Sequence, residues 1–84
     1  LPDDKALRVL AARFETSDPL EKVREFYKEK LGTAVTRFIE RTQQGKTVFE
    51  IKKNGQEKIV ALESAGGRTE IQLVRVSHGE AETN

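Results

Sequence analysis

The sequence predicts an α+β domain, a single antiparallel sheet of about five strands in the order β-α-β-β-β-β with one helix packed on one face. Three observations carry that prediction. Only Asp18 to Leu31 repeats its apolar residues with a helical period. Asn54-Gly55 and Gly66-Gly67 each separate two alternating runs, as tight hairpin turns do. The runs themselves are short and rich in valine, isoleucine, threonine and phenylalanine, residues that suit a pleated, half-buried surface.

Residues 1–4 form a polar lead-in, and Lys5 to Glu15 then alternates. Leu7 and Val9 fall on one side of that first strand, and Leu10, Ala12 and Phe14 on the other. Thr16-Ser17-Asp18-Pro19 makes a compact turn into the helix. Asp18 and Glu21 have the spacing of a capping box, with Pro19 at the first helical position, where an N–H is not needed. At 100° per residue Leu20, Val23, Tyr27 and Leu31 share a face flanked by Phe26. Glu21, Glu25, Lys28 and Glu29 face water, with Glu21–Arg24 and Glu25–Lys28 as helical ion pairs. Gly32 supplies the left-handed stop.

A second strand is expected from Thr33 to Thr42, closed by a three-residue hairpin at Gln43-Gln44-Gly45. That loop length points Ile39 inward and Phe38 outward, and a slip of one residue reverses them. Lys46 to Lys53 alternates again and ends at Asn54-Gly55. A two-residue turn there opposes Lys53 to Gln56, Glu50 to Ile59 and Phe49 to Val60. A second such turn at Gly66-Gly67 opposes Ala65 to Arg68, Leu62 to Ile71 and Val60 to Leu73. Both turns sort the same side chains together, so Phe49, Ile51, Val60, Leu62, Ile71 and Leu73 form the face that the helix covers. The domain is expected over residues 1–78, and the stretch from Ser77 onward reads as a polar tail, with 79–84 outside the domain.

One helix covers one side of a sheet. The same parity sends Val48, Ile59, Ala61, Val74 and Val76 to the helix-free side, where with Phe38 they form a candidate interface for a second copy or a protein partner.

At 84 residues the chain has room for one domain. Acidic and basic residues are interspersed and nearly balanced, with a net charge of +1, so no global field recruits nucleic acid. Cysteine is absent, which excludes disulfides, thiolate metal sites and a cysteine nucleophile. No apolar run is long enough to span a bilayer. The start at Leu1-Pro2, without methionine, suggests that an upstream segment was removed, which is compatible with a membrane anchor before residue 1.

Chemistry-bearing residues do not converge. His78 is the sole histidine, and Ser17, Ser64 and Ser77 lie in turns or near an end without the context of a nucleophile. Gly66-Gly67-Arg68-Thr69 lacks the lysine and following helix of a phosphate loop. No catalytic, cofactor or metal residues are therefore assigned, and no enzyme activity is expected. Lys58 and Arg75 oppose each other near one end of the sheet, where basic residues commonly guard a sheet against unwanted pairing.

Thr16-Ser17-Asp18-Pro19, Val23, Phe26-Tyr27, Leu31-Gly32 and Gly66-Gly67-Arg68-Thr69-Glu70-Ile71 together resemble a recurring type of small bacterial exported or lipoprotein-anchored domain. That resemblance implies an exported location and no established activity. The order of elements is also similar to cystatin-like folds, although Gln43-Gln44-Gly45-Lys46-Thr47 is not the inhibitory loop of those proteins. The function expected from all this is a non-enzymatic interaction module that uses its helix-free face or a sheet edge. The alternative is a small-molecule binder with a pocket between helix and sheet.

Overall fold

The structure, a computed structural model, describes residues 7–79. The first strand, β1 (Leu7–Thr16), leads into α1 (Leu20–Leu31). Four strands follow: β2 (Arg37–Arg41), β3 (Lys46–Lys53), β4 (Gln56–Ala65) and β5 (Arg68–His78). They form one antiparallel sheet in the spatial order β1-β5-β4-β3-β2, with the helix on one face. The lead-in 1–4, the expected first residues of β1 and the tail 80–84 lie outside the described residues.

The two glycine turns set the register as their spacing requires. Lys53 pairs with Gln56 and Phe49 with Val60 across β3 and β4. Ala65 pairs with Arg68 and Leu62 with Ile71 across β4 and β5. Val23 of α1 closes over Phe49, Val60, Leu62 and Ile71, with Leu20, Tyr27, Leu31 and Leu73 packed around them. Phe49 and Leu62 are each only 1% exposed, and burying side chains of that size contributes about 1.5–3 kcal/mol apiece.

Three expectations are corrected. First, the loop after β2 holds one residue more than a three-residue hairpin. Arg41 pairs with Lys46, so Thr42 to Gly45 all lie in the connection. A short 3₁₀ turn over Thr42–Gln44 ends at Gly45, in the left-handed region at φ 63°, whose N–H donates to the Thr42 carbonyl. The extra residue flips the parity of β2. Phe38 pairs with Phe49 on the helix side, and Ile39 pairs with Val48 on the other. Phe38 therefore leaves the helix-free set and Ile39 takes its place. β2 is also shorter than expected, because Gly32–Ala34 forms a 3₁₀ turn before the chain becomes extended.

Second, the helix begins one residue later, with Pro19 at the N-cap in an extended conformation and no side-chain cap. The Asp18–Glu21 capping box does not form. The Asp18 carboxylate lies 3.6 Å from Lys22 Nζ, and the Asp18 carbonyl accepts the buried Thr69 hydroxyl at 2.8 Å. Glu25–Lys28 forms at 3.9 Å, whereas Arg24 turns from Glu21 to Glu40, with Nη1 at 2.7 Å from Oε2. Third, Ser77 and His78 belong to β5. They pair with Arg8 and Leu7 of β1, and the His78 N–H donates to the Gly55 carbonyl.

Candidate functional site

A five-stranded sheet with strands about 4.8 Å apart is roughly twice as wide as one helix, which is about 10–12 Å across. Here α1 sits over β4 and its neighbours. β1, beyond β5, receives no cover from the other described residues. All of its residues are exposed except Thr16, at the helix end. Leu7, Val9 and Leu10 are each about 60% exposed and Phe14 is 51% exposed. An edge strand of 10 residues, with apolar side chains on both sides and, among the described residues, nothing paired along its outer row of backbone groups, is a template for another strand.

A trough runs along the helix side of β1. Ala12, Leu73 and Val60 form its floor, and Tyr27 and Leu31 of α1 face Leu10 of β1 across it. Its volume is about 330 Å³. Lys58 and Arg75, directly paired across β4 and β5, close one end. Beyond Tyr27 a second hollow of about 230 Å³ lies beside Ile71, Val23 and the half-exposed Phe26. Tyr27 stands between the two, its ring edge-on to Phe26 at 5.1 Å and tilted against Phe49 at 6.5 Å. Among the described residues, neither Lys58 nor Arg75 forms an ion pair with a carboxylate.

On the helix-free side, Val48, Ile59, Ala61, Val74 and Val76 point as parity requires, away from Val60 and Leu62. They join Ile39, Ala11 and Val9 in a diagonal band, because Ile39 pairs with Val48, Val48 with Ala61, Ile59 with Val74, Val74 with Ala11, and Val76 with Val9. The band residues of β2 to β5 are half-buried. Charged neighbours cross the same face, with Lys52 at 3.6 Å from Glu57 and Arg13 at 3.7 Å from Glu70. The band is most open at its β1 end. The two exposed apolar surfaces, one on each side of the sheet, therefore meet at the same strand.

Sequence reasoning identified the alternation of β1 but not its place at the edge beyond β5. Leu10, Ala12 and Phe14 on one side and Leu7 and Val9 on the other were the signal. A strand apolar on both sides, in a chain with one helix, has only one side that can be covered. Among the described residues no cluster of histidine, aspartate or glutamate is arranged to hold a metal, and His78 is exposed at the end of β5. No helix among them is long and apolar enough to cross a membrane. No protein-family model matches the chain, and no curated protein matches it significantly in sequence.

Proposed function

We propose that the chain is a non-enzymatic interaction module that adds an extended strand to its sheet along β1, and that the partner is a second copy of itself. The observation that carries this reading is the exposed ten-residue edge of β1. Its sequence is complementary to itself when reversed about Ala12. In that register Leu10 lies opposite Phe14 of the partner copy on the helix side, twice over, with the two Ala12 residues facing each other between them. Arg13 then opposes the small Ala11, and Glu15 opposes Val9. Strand addition of this kind takes affinity from main-chain hydrogen bonds and register from the side-chain ladder. The arrangement has two-fold symmetry and closes on itself as a dimer. The resemblance to small exported domains adds an exported location to this proposal.

The chain has no cysteine, which makes the register directly testable. Residues directly opposed in an antiparallel pair have Cα atoms about 4.5–5.5 Å apart, within the range of a disulfide. Ala12→Cys is expected to form a covalent dimer on mild oxidation, and Ala11→Cys is not. Sedimentation of the unmodified chain should show a reversible monomer–dimer equilibrium. A chain that stays monomeric at millimolar concentration, or an Ala11→Cys variant that cross-links as well as Ala12→Cys, would sink the proposal.

A further inference from the structure

The trough beside α1 differs from an ordinary exposed patch because its apolar length ends at two adjacent cations. Lys58 and Arg75 are cross-strand partners on the helix side, and Leu10 pairs with Arg75 from the other flank. Arg8, one step further along the same side of β1, pairs with the neutral Ser77, so among the described residues no carboxylate offsets the positive end there. From this basic row the floor passes to Ala12, Leu73 and Val60, and the next row on the helix side brings Ile71, which lines the second hollow.

We infer that this trough binds the anionic amphiphile of simplest form, a free fatty acid. Its carboxylate lies between Lys58 and Arg75, and its chain runs along Ala12 and Leu73 past the exposed side of Tyr27, toward the hollow beside Phe26 that Thr16, Asp18 and Lys22 also line. Charge complementarity selects the head group. A cationic head would have to displace or shield two like charges at the Lys58–Arg75 end of the trough, whereas a carboxylate gains charge-assisted hydrogen bonds there. Apolar length selects the tail. The four residue steps from the Arg75 row to the Ile71 row span about 13 Å at about 3.3 Å per residue, the extended reach of roughly ten carbons. The volume of about 330 Å³ is at the lower end of ligand sites. The site lies within one chain, so it stands whether or not copies pair along β1.

Tyr27 is the only tyrosine, and the chain has no tryptophan, so intrinsic fluorescence reports on the trough itself. Titration of the full chain with dodecanoate is expected to change that emission saturably, with half-saturation on the order of 100 µM. Hexanoate and dodecyltrimethylammonium, which lack the tail length or the sign of charge, should each bind at least tenfold more weakly. The double variant Lys58→Gln/Arg75→Gln alters two exposed side chains. With an unchanged circular dichroism spectrum, it should weaken dodecanoate at least tenfold and leave dodecyltrimethylammonium no weaker. Absence of a saturable response to dodecanoate would overturn the inference, as would equal binding of the cationic amphiphile or retention of full affinity in the double variant. Binding to phosphatidylglycerol vesicles with no response to monomeric dodecanoate would overturn it in favour of a membrane surface.

Discussion

The two edges of the sheet are built on opposite plans. β2 has five residues and carries Arg37, Glu40 and Arg41 among them. Thr36 fastens its start to β3, with its N–H and hydroxyl both donating to the Glu50 carbonyl and its hydroxyl accepting from the Lys52 N–H. Arg24 of α1 holds Glu40 at 2.7 Å, and Phe38 lies against Phe49 at 5.2 Å with Lys28 Nζ 5.5 Å from its ring centre. Short, charged and overlaid, β2 has the features that keep an edge from pairing with other chains. β1 is twice as long, and although Arg13 and Glu15 pair with Glu70 and Arg68 of β5, no described residue lies over it as Arg24 and Lys28 lie over β2. The contrast teaches that exposure at β1 is not a cost common to all edges of this sheet. Among the described residues, one edge is protected and the other is left open.

The largest test of that contrast exchanges the aromatic residue on each edge for alanine. Phe38→Ala removes the ring that lies on the buried Phe49 and, because Phe38 is itself 40% exposed, is expected to cost about 2 kcal/mol in urea denaturation, below the full range for a buried phenylalanine. Phe14→Ala should cost less than about 1 kcal/mol, yet it should weaken self-association. Equal losses of stability would mean that β1 is as well packed as β2 and would break the comparison. Next in size, Thr36→Val removes hydrogen bonds that pin β2 and is expected to cost about 1 kcal/mol. Hydrogen exchange should then quicken at Arg37 to Arg41 and not in β1. The smallest effect is at Arg24→Ala, where the lost pair with Glu40 is worth about 0.5 kcal/mol. That loss should shrink as salt rises, since one partner is substantially exposed.

Much of the fold was legible because tight turns leave little freedom. A two-residue turn admits one register, so Asn54-Gly55 and Gly66-Gly67 sorted Phe49, Ile51, Val60, Leu62 and Ile71 from Ile59, Ala61 and Val74 before any coordinate was needed. Gln43-Gln44-Gly45 was less informative, because a left-handed glycine ends a three-residue loop or a 3₁₀ turn equally well. Here the backbone closure from Gly45 to Thr42 decided the parity of Phe38 and Ile39. The Asp18 cap failed for a different reason. The Asp18 carboxylate lies beside Lys22 and Pro19 takes the N-cap, while the Asp18 carbonyl accepts the hydroxyl of Thr69 from a strand far away in sequence, which no local pattern reveals. The open site was hidden by the same kind of distance. Its chemistry is written in Leu10, Ala12, Phe14, Lys58 and Arg75, but only the placement of β1 against β5 brings them together.

The pairing of Leu7 with His78 also constrains how the domain is made. The strand synthesised first has its neighbour in the strand synthesised last, so on the ribosome β1 waits while every other pairing can form by short hairpins. Closing that contact carries most of the loop entropy of the fold and is expected to slow its final step. Until then the newborn chain presents β1 with two free sides rather than one, which makes its translation the period of greatest exposure to aggregation or capture by a chaperone.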